Sequence, residues 1–446
     1  MTMLVKIIKH LSTYQIVALT FLLLILVGTA LLMLPAASTT GQGLSFIDAL
    51  FMATSAVCVT GLTVVDTGIF FTTFGQMVVI VLVQLGGLGI MTFATMVSVA
   101  FGKRINLRER LLIQEALNQE TVAGVVRMAL NIVKYTFIIE FFFGSILAIH
   151  FYKTFGLQGI YFGYWHAISA FCNAGFDLFG NYTSLMPFAS DTVVNLCIVA
   201  LITLGSIGFI VIEDVLHKPK FIDYSLHSKI VIVTTIALGV FGTIAFWLME
   251  MGNPDTLAHL SGKDQFLASV FHSVSPRSGG FNTVPVDQME GNTLLLLIIF
   301  MLIGASSTST GGGIKTTTCA VVLLSVWNIL RGKNECVVFN RRISRKSIDK
   351  AFAITILAVL FVVIITLIVS TIEELPVMHV LFEVAAAFGT TGLSIGVTHQ
   401  LSDLSKLILV ATMYAGRVGV LTFAMVLMQK HEPDKIKYPE GKIIIG

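Results

Sequence analysis

The sequence Cys58-Val59-Thr60-Gly61-Leu62 lies between two apolar segments of unequal length. The segment before it, 45–57, is too short to cross a bilayer, because a transmembrane helix needs about 20 residues. The segment after it, 72–101, is long enough to do so. A Thr-Gly step at this place predicts a backbone that leaves the helix inside the membrane. Such a backbone is tolerated only where its peptide groups are buried in protein or line a wet cavity.

The composition is typical of a protein with several membrane spans. Of its 446 residues, 55% are hydrophobic and only 12% are charged, and the mean hydropathy is +0.89. Soluble globular proteins carry about 25% charged residues, so a soluble core does not explain the difference. The five cysteines form no CxxC pair, which indicates neither a disulfide framework nor a zinc site. The sequence contains no nucleic-acid-binding motif.

Long and short apolar runs alternate along the chain. Runs of the roughly 17–25 residues that a span requires occur eight times, and a shorter run lies within each successive pair. The expected spans are 15–35, 72–101, 126–151, 191–216, 229–250, 292–328 (broken internally), 351–372 and 402–428. The expected short helices are 45–57, 160–172, 263–275 and 377–389.

The order span, short helix, irregular step, span therefore occurs four times, which indicates an internal repeat. We expect an all-α membrane protein with four parallel M1–pore helix–M2 repeats, comprising eight spans and four re-entrant half-helices around one pseudo-fourfold pore. Basic residues cluster between repeats, so the positive-inside rule predicts that both termini are cytoplasmic. The expected repeats are 1–102, 103–217, 218–330 with an intramembrane loop at 304–317, and 331–446 with a short cytoplasmic tail.

Four irregular steps follow the four short helices, each with a small residue, then glycine, then a large apolar residue. A dehydrated cation requires a ring of carbonyl oxygens in place of its water shell. Directing successive carbonyls the same way drives one residue to positive φ, which glycine adopts at little cost. One such step alone is more typical of a turn, but four copies at matching places favour an ion filter. Its expected residues are Val59, Thr60, Gly61, Asn173, Ala174, Gly175, Ser278, Gly279, Gly280, Thr390, Thr391 and Gly392.

A second repeated feature, a cluster of small residues, lies inside each span that follows a filter step. For the first, second and fourth copies we favour close helix packing through small residues. The four copies are Gly86-Gly87-Leu88-Gly89, Gly205-Ser206-Ile207-Gly208, Gly304-Ala305-Ser306-Ser307 and Gly416-Arg417-Val418-Gly419.

The third copy differs, because it continues through a Ser/Thr run into Gly311, Gly312 and Gly313, followed by Lys315. A helix interior does not tolerate three successive glycines after such a run. At membrane depth this segment must be an irregular loop that lines a cavity. We expect it on the cytoplasmic side of the filter, where it is a candidate gate. The alternative interpretation is a static kink.

Arg417 is a charged residue deep in the last span, where a charge is costly unless it faces a wet cavity or a partner. On the pore axis it would repel a cation leaving the filter. The alternative, which is compatible with the first, is a structural pair with a polar residue or with carbonyls of the loop. We interpret Glu140 as a packing polar group and Arg277 as an anchor for the third short helix.

These motifs resemble those of the Trk/Ktr/HKT superfamily of potassium transporters along essentially the whole chain. The resemblance is greatest to the Ktr-type ion-translocating membrane subunit, the KtrB/KtrD-like type. The matching stretches are Cys58-Val59-Thr60-Gly61-Leu62 with Val64-Val65-Asp66-Thr67-Gly68, His166-Ala167-Ile168-Ser169-Ala170-Phe171 before Asn173-Ala174-Gly175-Phe176, Pro276-Arg277 before Gly280-Phe281-Asn282, the loop from Gly304 to Thr317, and Gly416-Arg417-Val418-Gly419.

The resemblance implies potassium uptake across a bacterial plasma membrane, with Na⁺ as an activator or a coupled ion. Relatives that prefer sodium often have serine at the first filter glycine, so Gly61 favours K⁺ as the substrate. The resemblance assigns the gate to the loop around Gly311, Gly312, Gly313 and Lys315, with Arg417 facing it. It implies no covalently bound cofactor and no enzymatic activity.

The resemblance also implies partners. These are a second copy of the chain, forming a homodimer with one pore in each subunit, and a cytoplasmic ring of nucleotide-binding regulatory subunits (KtrA/KtrC-like) that respond to ATP and ADP. The tail to Gly446 is then expected in the dimer contact, membrane lipid surrounds the spans, and nucleic acid is not a partner. The alternative function is a secondary cation symporter with weak K⁺/Na⁺ selectivity, which parallel rather than inverted repeats disfavour.

Overall fold

The computed structural model describes residues 13–101, 105–117, 122–333 and 335–419. Within these ranges it contains seventeen α-helices and one two-stranded hairpin, β1 (Val337–Val338) and β2 (Arg341–Arg342). The first helices are α1 (Thr13–Leu32), α2 (Phe46–Val57), α3 (Thr67–Phe70), α4 (Thr73–Leu88), α5 (Ile90–Ala100), α6 (Leu107–Ala116), α7 (Val125–Phe155) and α8 (Leu157–Phe171). The others are α9 (Thr192–Ser206), α10 (Phe209–His217), α11 (Leu226–Glu250), α12 (Gly262–Val274), α13 (Gly291–Leu302), α14 (Thr316–Leu330), α15 (Arg345–Glu373), α16 (Val377–Gly389) and α17 (Asp403–Val418).

Four helices in the described ranges, α1, α7, α11 and α15, are each long and apolar enough to cross a membrane. They coincide with the spans expected at 15–35, 126–151, 229–250 and 351–372. Between 22% and 39% of the residues in their most apolar windows are buried. The rest of that apolar surface is suited to contact with lipid. The predicted tail and the end of the last expected span lie outside the described residues.

Two of the expected continuous spans are wrong as single helices. The run at 72–101 forms α4 and α5, which are bent by 94°, and the run at 191–216 forms α9 and α10, which are bent by 98°. The bends lie at Gly89 (φ 81°) and Gly208 (φ 95°), and this left-handed backbone cannot continue a right-handed helix. Gly419, which follows α17, has the same conformation (φ 93°). The run at 292–328 is interrupted between α13 and α14, as the sequence predicts.

The core is formed around four short helices, α2, α8, α12 and α16, which lie where the sequence predicts them. Two of them begin at serine N-caps, because the Ser45 hydroxyl accepts the Asp48 N–H and the Ser261 hydroxyl accepts the Asp264 N–H. The long helices expose many apolar side chains, whereas the short helices bury most of theirs beyond the first turn. Fully buried aromatic side chains on the short helices are Phe51, Phe171, Phe271, Phe382 and Phe388.

Small residues set the distance between the short helices and their neighbours. A Cβ atom on Gly163 of α8 would lie 2.3 Å from the backbone nitrogen of Ala148 in α7. The broken helices approach the short helices in the same way, so the packing role expected for the repeated small residues is confirmed. A Cβ on Gly86, Gly205 or Gly416 would lie 2.0, 1.9 or 2.0 Å from the carbonyl oxygen of Val57, Phe171 or Phe388, respectively.

Gly163→Ala is expected to destabilise the protein by roughly 1–3 kcal/mol, the usual cost of overpacking. Gly239→Ala in α11 is the matched control, because nothing lies within 4 Å of the Cβ position there. Thermal unfolding of both variants in one detergent, followed by fluorescence, measures the difference. An unchanged melting temperature for Gly163→Ala would contradict the close contact between α7 and α8.

Candidate functional site

Each short helix ends in an irregular segment with a glycine in the left-handed region. The φ angles of Gly61, Gly175, Gly280 and Gly392 are 87°, 72°, 75° and 79°. In three segments the residue two positions before this glycine is also left-handed, although it is not glycine. These residues are Val59 (58°), Asn173 (62°) and Thr390 (50°). A left-handed non-glycine residue costs about 1–2 kcal/mol, so the surrounding structure must enforce the conformation.

The irregular segments fold back onto their own short helices. The N–H groups of Thr60, Ala174 and Thr391 donate to the carbonyls of Ser55, Ser169 and Ala386 at 2.7, 2.8 and 2.9 Å, five residues earlier in each case. The third segment departs from this pattern. Its helix continues as a short 3₁₀ turn, Ser275–Arg277, and Gly279 N–H donates to the Ser275 carbonyl at 2.6 Å. Ser278 at its end is not left-handed (φ 177°).

The four glycine segments meet in a closed ring. A Cβ atom on Gly61 would lie 2.1 Å from the carbonyl oxygen of Ala174, and one on Gly175 would lie 2.8 Å from Cα of Gly280. The contacts continue round the ring. A Cβ on Gly280 would lie 2.3 Å from the Thr391 oxygen, and one on Gly392 would lie 2.3 Å from the Thr60 oxygen. The residues expected to form a filter are therefore brought together. Each of the four positions must be glycine, because a side chain there would collide with the neighbouring segment.

The chain beyond the filter glycines also links neighbouring segments. The carboxylate of Asp66 accepts a hydrogen bond from Tyr182 N–H at 3.1 Å, joining the first segment to the second. Leu185 N–H donates to the Asn282 carbonyl at 3.0 Å, joining the second segment to the third. These bonds hold the outer rim of the ring.

The irregular chain between α13 and α14 lies against the other side of the ring. The Thr310 hydroxyl is 2.7 Å from the side-chain amide of Asn173, and Gly312 N–H donates to the Thr390 hydroxyl at 2.9 Å. A Cβ on Gly311 would lie 2.9 Å from the Cβ of Ser278. The loop therefore contacts three of the four glycine segments.

Backbone N–H and C=O groups of the loop form hydrogen bonds with the backbone at the bend between α9 and α10. Ser306 N–H donates to the Ser206 carbonyl at 2.9 Å, and Thr310 N–H donates to the Gly205 carbonyl at 3.2 Å. In return, Phe209 N–H donates to the Thr308 carbonyl at 3.0 Å. Carbonyls at the end of a helix have no partner within it, so the bend offers acceptors that the loop uses.

Two basic side chains hold the loop. The guanidinium group of Arg417 donates to the carbonyls of Thr310, Gly86 and Gly87, the last at 3.2 Å. The ammonium group of Lys315 donates to the Gly311 carbonyl at 2.6 Å. Arg417 thus makes the expected contact with loop carbonyls, and it also joins the loop to α4. A cavity of about 690 Å³ lies beside these groups, lined in part by Arg417, Lys315 and residues of α1.

Glu140 and Arg277 make the local contacts expected of packing groups. A carboxylate oxygen of Glu140 accepts from the amide of Gln84 at 3.1 Å. The buried guanidinium group of Arg277 donates to the Thr235 carbonyl in α11 at 3.2 Å. These bonds attach α7 to α4 and the third short helix to α11.

Sequence reasoning missed a set of polar side chains on the short helices. His166, His272 and Glu383 are almost completely buried and accept hydrogen bonds from the chain just beyond a filter glycine. The available signal was spacing, because His166 and Glu383 both stand nine residues before their filter glycines. That spacing did not reveal the acceptor role, since the donor lies in a segment that must first fold back.

Comparison with known proteins identifies the family. The family TrkH, described as cation transport protein, matches residues 8–438. The chain belongs to this family. It is 42% identical over 434 residues to Ktr system potassium uptake protein B of Bacillus subtilis (strain 168), an alignment that covers 97% of this chain and 96% of that protein. It is therefore related to transporters and not to enzymes.

Two further relatives support the same assignment. Potassium/sodium uptake protein NtpJ of Enterococcus hirae is 36% identical over 445 residues, covering 98% of each chain. The crystal structure of the potassium transporter TrkH from Vibrio parahaemolyticus is similar in fold, with a TM-score of 0.74 and 19% identity, covering 94% of this chain and 86% of that one. The resemblance inferred from the motifs is confirmed at the level of the family.

We expect Gly175→Ala to lower cation uptake about tenfold or more, since an overpacking cost of roughly 1–3 kcal/mol corresponds to that factor. Gly396→Ala is the matched control, because Gly396 is also left-handed (φ 86°) but has nothing within 4 Å of its Cβ position. Rubidium tracer uptake, normalised to folded protein in the membrane, separates the steric effect from the backbone effect. Equal losses in the two variants would contradict the close contact between filter segments.

Proposed function

We propose that this chain is the ion-translocating subunit of a potassium uptake system. The observation that carries the proposal is the closed ring of four left-handed glycines, Gly61, Gly175, Gly280 and Gly392, each at the end of a short helix. A ring of backbone carbonyls can replace the hydration shell of a dehydrated cation. The printed names of the Bacillus and Enterococcus relatives, both potassium uptake proteins, support K⁺ as the cargo.

The proposed architecture is four parallel M1–pore helix–M2 repeats, with the boundaries 1–102, 103–217, 218–330 and 331–446. It is supported by the order of long helix, short helix, glycine segment and broken helix along the chain. It is also supported by the helix breaks at Gly89 and Gly208, by the end of α17 before the left-handed Gly419 and by the interruption between α13 and α14. Each short helix would direct the negative end of its dipole towards the ring, which favours a cation there.

The proposed ion-binding groups are the backbone carbonyls of the twelve filter residues named from the sequence. This assignment is supported by the way the segments fold back, because the N–H groups of Thr60, Ala174 and Thr391 donate to carbonyls of the short helices. Carbonyls of the same peptide chain are thereby left available for an ion. Uptake would be driven by the inside-negative potential, which is worth about 2.3 kcal/mol per charge per 100 mV.

Gly61→Ser is expected to weaken the preference for K⁺ over Na⁺, because a side chain there would meet the Ala174 carbonyl at 2.1 Å and displace it. The measurement is uptake of K⁺, Rb⁺ and Na⁺ in cells that lack their own potassium transporters. Gly41→Ser is the control, because Gly41 is left-handed (φ 72°) with nothing within 4 Å of its Cβ position. An unchanged K⁺/Na⁺ uptake ratio in Gly61→Ser would count against the filter.

We propose that the loop around Gly311, Gly312, Gly313 and Lys315 is a gate and that Arg417 holds it closed. The support is the position of the loop against three filter segments and its bonds to the guanidinium group. Opening would require Thr310 and Gly312 of the loop to break their hydrogen bonds to the filter segments. Each of these bonds is weak by itself. The loop can therefore move without unfolding a helix.

Arg417→Ala is expected to raise cation flux, because it removes both the bonds to the loop and a positive charge from the cavity. Lys350→Ala is the matched control, since the exposed Lys350 lines the same cavity and has no hydrogen bond to the loop within the described residues. Initial rates of rubidium uptake at saturating concentration provide the measurement. An unaltered rate in Arg417→Ala would exclude it from the ion path, and equal increases in both variants would assign the effect to charge alone.

We also propose that the chain forms a homodimer that binds a cytoplasmic ring of nucleotide-binding regulatory subunits, through which ATP and ADP act. The word "system" in the name of the Bacillus relative supports a partner subunit. The name of the Enterococcus relative supports a role for Na⁺ as activator or coupled ion. The basic loops between repeats support cytoplasmic termini in a bacterial plasma membrane.

A further inference from the structure

Three short helices carry a buried polar side chain that accepts a hydrogen bond from the chain beyond the filter. Nε2 of His166 accepts from Leu178 N–H at 3.2 Å, and Nε2 of His272 accepts from Thr283 N–H at 3.3 Å. Each donor lies three residues after the filter glycine of its own segment. The same register in three segments indicates a built feature and not a chance contact.

The fourth segment has the most extensive version of this contact. An oxygen of the Glu383 carboxyl group accepts from Ile395 N–H at 3.1 Å and from the Ser394 hydroxyl at 2.6 Å. Its other oxygen accepts from the Thr398 hydroxyl at 2.6 Å. Glu383 is only 2% exposed, so these three donors replace water around the group.

Among the described residues, the first segment shows no such contact. Met52 stands nine residues before Gly61, the place that His166 and Glu383 occupy before Gly175 and Gly392. A thioether is only a weak acceptor. The four quarters of the ring are therefore held unequally, and Glu383 in the fourth accepts from more donors than His166 or His272 does in the second or third.

The fourth filter segment is attached to its short helix at both ends. On one side Thr391 N–H donates to the Ala386 carbonyl at 2.9 Å. On the other side Ile395 N–H donates to Glu383, so the peptide groups between these positions cannot shift along the helix. Carbonyls held in this way keep their spacing when an ion of different size enters, which is what discrimination by a coordinating ring requires.

We propose that Glu383 is a positioning residue that determines K⁺/Na⁺ selectivity by holding the outer end of the fourth filter segment. The proposal rests on the proposed function of the ring as a potassium filter. Glu383 does not touch the ion. It acts through Ser394 and Ile395, which lie two and three residues after Gly392 in the chain.

The test compares two variants of Glu383. Glu383→Asp keeps a carboxyl group but withdraws it by one methylene, and we expect the K⁺/Na⁺ uptake ratio to fall about tenfold because the buried Ile395 N–H loses its acceptor. Glu383→Gln keeps the reach and an acceptor oxygen, so its ratio is expected to stay within about twofold of the wild type. Uptake of each ion is measured in cells that lack their own potassium transporters.

The matched control is Glu250→Asp. Glu250 is fully buried, and its carboxyl group accepts from one backbone N–H, that of Glu290, and from the side chains of Asn253 and Thr256. Like Glu383 it accepts from one backbone and two side-chain donors, but it lies at the end of α11 and none of its donors belongs to a filter segment. We expect Glu250→Asp to reduce the amount of protein in the membrane and to leave the K⁺/Na⁺ ratio unchanged.

A second variant covers the case in which Glu383→Asp does not fold. Thr398→Val removes one donor to the Glu383 carboxyl group at nearly constant volume, and a smaller fall in the ratio is expected. An unchanged ratio in Glu383→Asp or, where that variant does not fold, in Thr398→Val overturns the proposal, as does an equal fall in Glu250→Asp. If the wild type prefers K⁺ while Glu383→Asp keeps its ratio, only the role of Glu383 fails. If the wild type itself takes up no K⁺, the proposed function fails.

Discussion

The structure depends on one constraint, which is that a backbone leaving its helix among apolar surroundings must still satisfy its peptide groups. Three of the glycine segments meet it by folding back, so that Thr60, Ala174 and Thr391 each bond to a carbonyl five residues earlier. The loop between α13 and α14 meets it differently. Its N–H groups donate to the carbonyls of Gly205 and Ser206, which have no partner within α9 because that helix ends there. A break in one helix thus supplies partners for the irregular part of another.

Glycine serves two separate purposes around the ring. Gly61 and its three counterparts adopt a backbone conformation that other residues adopt only at a cost. Gly86, Gly205 and Gly416 instead allow a broken helix to approach the carbonyl at the end of a short helix. These carbonyls belong to residues two positions before the glycine segments, so a larger residue in the neighbouring helix would displace the ring itself. Helix packing and filter geometry are therefore parts of one arrangement.

The ring departs from exact fourfold symmetry in its third quarter, and this departure has consequences for the proposed mechanism. Ser278 is not left-handed, unlike the residue at its place in the other segments, and the following helix is interrupted by the long loop. The loop belongs to one quarter only and lies against the glycine segments of the ring. It is held by Arg417 from α17 and, through that side chain, by carbonyls at the end of α4. Elements from three repeats would thus act on a single gate.

Much of the fold and the site could be predicted, because the signals are local in the chain. The lengths of apolar runs predicted the short helices, and three successive glycines predicted the irregular loop. The bends at Gly89 and Gly208 could not be predicted, since glycine-rich stretches that pack closely and those that break a helix have the same composition. Glu383 was missed because its donor Ile395 lies twelve residues away and reaches it only after the chain folds back. The sequence by itself determined a helical membrane protein with four short helices and a glycine step after each. Only the tertiary structure decided which carbonyls, hydroxyls and carboxyl groups hold those steps in a ring, because such contacts form between segments that are distant in the chain.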